Sequence, residues 1–293
     1  MNKFLVLFFI SFSLSAQIKG VVKDSLSGEP IPYVNIWVEN ETVGTTSEID
    51  GTFSLAIKEE KVLVFSALGY ETKKLASTIE VIFLKPIAYE LNEVVVEQPK
   101  LSKEIEIGNF HKSAGYHISG DIEWSNAKYF KYELTYEETK FVKKIKITTR
   151  SKVNNAKFKI RIFSVNKEGY PYNDLLSEDI IVTVKKGKMK NVIDISNFKL
   201  VFPKEGLFIA YEVLKIESNK YIFEYTESES KKLINKTYYA PDFECNLVDE
   251  QNTYYFRDVK WNKQQKWHNE ETGNFKKFNN KVFEPAISLI LIN

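Results

Sequence analysis

Three kinds of side chain in this sequence could do chemistry: histidines beside acids, paired carboxylates, and aromatics set among amides. His268-Asn269-Glu270-Glu271 spells His-x-x-Glu. A catalytic zinc takes nitrogen and carboxylate ligands and keeps a fourth position open. That use needs a third ligand, and no histidine follows His268; His111 and His117 precede it in a Gly- and Ser-containing segment. The three read as surface histidines, so neither a metal nor another cofactor is expected. Glu137-Glu138, or the acids at 227–229, could be offered as an acid/base pair. Such pairs are defined by separation in space, and these read as solvated acidic loops. Tyr254, Tyr255, Trp261 and Trp267 lie near Asn252, Asn262, Gln264, Gln265 and Asn269. Sugars are held by aromatic faces against C–H surfaces, with amides and carboxylates addressing hydroxyls. These four aromatics are therefore the candidate carbohydrate-binding residues. Tyr254 and Tyr255 are adjacent, so on a strand they face opposite ways and one of them belongs to the core.

Other chemistry is thinner. No Gly-x-Ser-x-Gly elbow, P-loop or Gly-x-Gly-x-x-Gly cradle occurs. Cys245 is the only cysteine, so no intrachain disulfide forms, and it reads as a small buried side chain. Glu48 and Asp50 share one short loop, but calcium wants more oxygen ligands than two. The chain is read as having no enzymatic activity.

The elements that position these residues are strands. Asp50-Gly51 is a turn pair, because both residue types tolerate positive φ. Phe53, Leu55 and Ile57 follow it at a spacing of two. Phe53 and Phe65 are expected in the core on neighbouring strands, with Tyr70 beside them. Val62-Leu63-Val64-Phe65 does not alternate, which predicts a strand covered on both faces. Tyr33, Asn35, Trp37 and Glu39 alternate with Val34, Ile36 and Val38. Further on, Phe141, Ile145 and Ile147 share one side of a strand, and Phe158, Ile160 and Ile162 alternate with Lys157, Lys159 and Arg161. Residues 180–184 and 191–195 read as a hairpin around Gly187, and residues 207–216 and 221–226 as another pair. No segment within residues 17–97 shows a helical period.

At 293 residues, two domains are expected. Lys and Arg number 41 against 39 Asp and Glu, a net charge of +2. No global field selects nucleic acid. Lys3, the apolar run at 4–12 and the small residues Ser13, Ser15 and Ala16 form a secretory signal peptide pattern, with cleavage expected after Ala16. No other apolar run is long enough to span a membrane as a helix. Gln98-Pro99-Lys100 reads as a linker, since Pro99 cannot serve a central strand.

Residues 17–96 resemble the carboxypeptidase regulatory-like domain, a transthyretin-like β-sandwich. The matching residues are Gly20-Val21-Val22, Gly28-Glu29-Pro30-Ile31-Pro32, Val34-Asn35-Ile36, Gly44-Thr45-Thr46, Asp50-Gly51-Thr52-Phe53 and Phe65-Ser66-Ala67-Leu68-Gly69-Tyr70. Glu48 stands where the family usually has Asp. The closing Glu90-Leu91-Asn92-Glu93-Val94-Val95-Val96 is similar to that of envelope proteins carrying this domain, including many TonB-dependent receptors. The resemblance implies a non-catalytic accessory module. The remainder resembles uncharacterised β-rich regions that follow the same domain, through residues 180–187 and 202–210.

The expected architecture is thus all-β. A signal peptide (1–16) precedes a transthyretin-like sandwich (17–97) and a larger jelly-roll-like sandwich (98–293). The expected role is a non-catalytic exported envelope protein, periplasmic or outer-membrane-associated, that serves as a structural or protein-interaction module. The alternative is a carbohydrate-binding protein using aromatics of the second sandwich. The expected partner is an envelope protein or a polysaccharide.

Overall fold

A computed structural model describes residues 17–87, 102–108, 115–117, 125–227, 231–257, 260–268 and 276–293. The leader at 1–16, the closing motif at 90–96, the linker at 98–100, His111 and Glu229 lie outside the described residues. So do Asn269, Glu270 and Glu271.

The described residues are all-β, with only short 3-10 turns besides. Seven strands come first: β1 (Gln17–Asp24), β2 (Asn35–Val38), β3 (Gly44–Thr46), β4 (Thr52–Ala56), β5 (Val62–Ser66), β6 (Lys73–Ala76) and β7 (Val81–Leu84). They form a three-stranded sheet in the order β4-β1-β7 and a four-stranded sheet in the order β3-β2-β5-β6. Alternation decides which side chains fill the space between them. Val34, Ile36 and Val38 point inward, as do Phe53, Leu55 and Ile57, and they meet Leu63 and Phe65 in one cluster. Tyr70 packs against the same cluster.

The expectation of neighbouring strands for Phe53 and Phe65 is corrected. β4 belongs to one sheet and β5 to the other, and the two rings meet edge to face across the core, 5.8 Å apart at 70°. Gly51 has φ +75°, as the Asp-Gly turn requires.

Then come β8 (Glu104–Ile107), β9 (Gly115–His117), β10 (Ser125–Phe130), β11 (Phe141–Ser151), β12 (Ala156–Val165), β13 (Pro171–Asp174), β14 (Ile180–Val184), β15 (Gly187–Asp194) and β16 (Leu207–Val213). The last are β17 (Lys220–Thr226), β18 (Leu233–Tyr239), β19 (Asp242–Val248), β20 (Thr253–Arg257), β21 (Lys260–Lys263), β22 (Val282–Pro285) and β23 (Ile287–Ile292). One seven-stranded sheet runs β13-β12-β16-β10-β20-β21, with β14 also on β12. The other runs β22-β19-β11-β23-β8, with β15 on β11 and β9 on β19. Their facing surfaces share one core, in which Phe243 stacks on Tyr211 at 3.6 Å and meets Phe158 edge-on at 5.0 Å.

Three local expectations change here. β14 pairs with β12 and β15 with β11, so the expected hairpin around Gly187 is instead a crossing between sheets. β16 lies between β10 and β12, while β17 pairs with β18 in a separate two-stranded ribbon. Finally, the register of β11 against β23 shifts between Val142 and Lys144. The extra residue turns Val142 into the core with Ile145 and Ile147, leaving Phe141 buried outside that cluster.

Candidate binding cleft between the two sandwiches

The site begins with two strands whose outward faces look solvated on paper. On β12, Phe158, Ile160 and Ile162 point into the core, so Lys159 and Arg161 must point out of it. On β2, Ile36 and Val38 point into the first core, so Asn35 and Trp37 point away from it. The structure sets these two outward faces against each other. Lys159 is 2% exposed; its ammonium lies 2.9 Å from Asp179 and donates to the Tyr33 carbonyl at 3.3 Å. Tyr33 holds φ 56°, a conformation rare for a ring side chain, and packs with Leu214 and Ile216. Val64, on the outward face of β5, is buried beside Trp37. The apolar run in β5 is therefore covered on both faces only from Leu63 to Phe65: Val64 lies under Trp37, which Phe256 of the second sandwich covers, while Val62 at the start of the strand is exposed.

Arg161 is the centre of the polar network. Its Nε donates to Asp174 at 2.9 Å and its Nη2 donates to the other oxygen of the same carboxylate. Its Nη1 lies 3.6 Å from Glu212 Oε2, outside hydrogen-bonding reach. Burial works against the Arg161 charge, but Glu212 and Asp174 more than reverse that, and the guanidinium is held firmly protonated. Glu212 is 2% exposed, and its other oxygen accepts the side-chain amide of Asn35 from the first sandwich.

Aromatic rings form one wall. Trp37 meets Phe256 edge to face at 6.5 Å, Phe256 meets Trp261 at 5.4 Å, and Trp261 meets Phe163 at 5.5 Å. The Arg161 guanidinium sits over the Phe163 ring, 4.8 Å from its centre. Together these groups enclose a cleft of about 220 Å³, with the exposed Tyr172 at its lining. A larger hollow of about 1190 Å³ lies along β1, β3 and β4 beside residues 215–217; the polar side chains Thr45, Thr46 and Glu48 that line it are already bonded to backbone of residues 215–217.

The four aromatics singled out from sequence do not converge. Trp261 lines the cleft. Tyr254 is buried, edge-on to Phe208 at 5.0 Å and to Tyr170 at 5.4 Å. Tyr255 lies half-buried under the Arg257 guanidinium, 5.3 Å from its ring centre. Trp267 is exposed and tied through its backbone N–H to Lys281. Asn35, Trp37, Arg161, Asp174, Glu212 and Phe256 were not foreseen. One signal was available for them: an indole on the outward face of a strand marks a covered surface.

The other candidates stand apart. His268 is exposed, whereas His117 is packed into the fold, its Nδ1 2.7 Å from the Tyr211 hydroxyl. The surface reading is thus corrected for His117: β9 pairs with β19, and the imidazole is half-buried against the Tyr211 hydroxyl. Glu138 pairs with Lys103, and Cys245 is fully buried. Among the described residues, no group of three or more His, Cys, Asp or Glu is placed to hold a metal. In the cleft Arg161 already engages Asp174 and flanks Glu212, so these acids serve as hydrogen-bonding groups around a fixed cation.

With this geometry in place, similarity to known proteins adds the following. A family model described as CarboxypepD_reg-like domain matches residues 18–96. The TonB-dependent receptor SusC of Bacteroides thetaiotaomicron is 37% identical over 112 residues, 38% of this chain and 10% of that protein. The TonB-dependent receptor P3 of Formosa agariphila is 33% identical over 100 residues, 32% of this chain and 10% of that one. The matched part is thus about a tenth of each receptor. Among solved structures, the clostridial cysteine protease Cwp84 after propeptide cleavage aligns over 89% of this chain and 66% of its own, with a TM-score of 0.41 at 11% identity.

Proposed function

We propose that this chain, whose residues 18–96 belong to the CarboxypepD_reg-like domain family, is a non-catalytic interaction module of the cell envelope. In this reading the leader at 1–16 is removed on export, and units 17–97 and 98–293 act together. The observation that carries the reading is the likeness of the first third to two TonB-dependent receptors. The seam between the sandwiches supports it. The outward face of β2 is spent on contacts with β16 and β20, and Tyr33 just before it meets β12, so a partner would meet one composite surface. Expression with the native leader, followed by fractionation and mass spectrometry, tests the reading. A mature N-terminus at Gln17 in an envelope fraction, cross-linked to another envelope protein, is expected. Intact Met1 in the cytoplasm would overturn it.

A second reading is carbohydrate binding. It is favoured by Trp261, which lines a cleft with four other aromatic rings and an Arg-carboxylate network. That combination matches what sugar recognition needs.

A further inference from the structure

We propose that the cleft takes a single neutral pyranose ring, held by both sandwiches at once. This rests on the carbohydrate reading but moves the site: its polar end comes from Asn35 and Trp37 of the first sandwich and from Glu212 of the second.

The argument starts from unused hydrogen-bonding capacity. Trp37 is 8% exposed, and its buried Nε1–H has no acceptor in the protein. Asn35 gives its amide N–H to Glu212, while its buried Oδ1 accepts nothing. Glu212 Oε2 is buried and accepts no hydrogen bond, with Arg161 at 3.6 Å. Native folds rarely leave buried polar atoms without a partner, be it protein, ordered water or a ligand. One donor and two acceptors form a mixed set. An anion would want donors alone and a cation acceptors alone. A sugar hydroxyl both donates and accepts, so a mixed set fits it.

Charge points the same way. Two guanidiniums, Arg161 and Arg257, and three carboxylates, Glu41, Asp174 and Glu212, line the cleft. Arg161, the cation at its centre, already serves two of those carboxylates. Glu41 in turn lies 3.3 Å from the Lys61 ammonium, so an acidic ligand would meet no net positive charge to hold it. The aromatic wall supplies the apolar surface that the C–H face of a pyranose needs. Size limits the ligand to one ring. At 220 Å³ the cleft is smaller than the roughly 300–1,000 Å³ of sites for drug-sized ligands.

The test uses the purified mature chain, labelled with nitrogen-15. Indole N–H signals are assigned by single Trp→Phe variants. The probes are the methyl glycosides of glucose, mannose, galactose and N-acetylglucosamine, with glucuronate and arginine as charged comparators. We expect at least one neutral glycoside to move the Trp37 and Trp261 signals together and saturably, leaving Trp267 unmoved. Asn35→Ala should weaken that response about tenfold or more, the effect of losing one well-placed contact. Trp37→Phe, which keeps the ring and loses only the N–H, should weaken it while the melting temperature stays close to that of the parent. If no neutral glycoside moves Trp37, if the shifts fall on Trp267 alone, or if the charged probes bind instead, the proposal fails. Mislocalisation, which would sink the envelope reading, leaves this result untouched, because the measurement is made on purified protein.

Discussion

The carboxylate of Glu48 accepts the backbone N–H of Glu217 at 2.7 Å, across 169 residues of sequence. Thr46, at the end of β3, accepts the N–H of Lys215 at 3.0 Å, and Thr45 donates to the Lys215 carbonyl at 3.3 Å. The strand before the Asp50-Gly51 turn thus supplies side-chain partners to backbone of the second sandwich. Asp50 takes no part in this seam. It accepts the Thr52 N–H at 3.0 Å and the Thr52 hydroxyl at 2.6 Å, which closes its own turn. The two acids of this loop serve different partners.

Thr46→Val tests the seam. The substitution keeps the shape and removes the acceptor for a buried N–H. Leaving such a donor unmet costs about 1–3 kcal/mol, and Thr46 is 2% exposed. Urea unfolding should show the loss as a lower midpoint. A variant as stable as the parent would mean that Lys215 finds another acceptor and that the bond at 3.0 Å contributes nothing.

Gly51 should tolerate no side chain. At φ +75° an L residue costs roughly 1–3 kcal/mol in backbone strain. The space adds to that: a Cβ there would stand 2.6 Å from the Val22 carbonyl oxygen and 2.9 Å from the Pro30 Cβ. Gly51→Ala and Gly51→Val should both destabilise strongly, as read by thermal melts. Asp50→Asn should be mild, because Asn closes the same turn. The Asp50→Asn melt should also be insensitive to calcium and to chelator. A calcium-dependent rise in the parent that vanishes in the variant would revive a metal role for this loop.

Phe53→Ala should open a cavity at the edge-to-face contact with Phe65 and cost about 3–5 kcal/mol. Phe53 is 4% exposed and packs in the first core, so collapse around the gap is restricted. The measurement is equilibrium unfolding of the parent and the variant. A loss below about 1 kcal/mol would show that the two sheets close the gap.

Much of this was legible in residue order, because alternation is a local property. Val34, Ile36 and Val38, or Phe158, Ile160 and Ile162, declare their inward faces without any knowledge of the rest of the fold. Pairing is not local. Nothing in 180–195 says that its two strands belong to different sheets, and a near-continuous β run reads as a hairpin by default. The bulge at Val142 breaks the period by one residue, which a count of two cannot anticipate. The cleft was hidden for a related reason. Lys159 and Arg161 are what a solvated strand face looks like; they are covered because Tyr33 and Asn35 of the first sandwich dock on the Lys159 ammonium and on Glu212. Val64 in an unbroken apolar run, and Trp37 opposite Ile36, carried the trace of that second covering.

The last prediction concerns acid stability and follows from His117. Burial pushes its pKa down from the usual 6.5 to about 4, so the folded chain holds the imidazole neutral. In that form Nδ1 can accept the Tyr211 O–H at 2.7 Å; a protonated ring could only donate there. The unfolded chain takes up its proton near pH 6.5 and the folded chain only near pH 4. Between those values the unfolded state binds more protons, so stability falls as the pH falls through that window. Above pH 6.5 both states are neutral and the term vanishes. Below pH 4 it is complete, at no more than about 3–4 kcal/mol for a move from 6.5 to about 4. Carboxylates add their own acid dependence, and a comparison with His117→Gln cancels it, since Gln can also meet the Tyr211 hydroxyl. Unfolding free energies of both proteins should be measured from pH 7.5 to pH 4. The parent should lose stability relative to the variant below pH 6.5. Parallel curves across the whole range would mean that His117 titrates alike in both states.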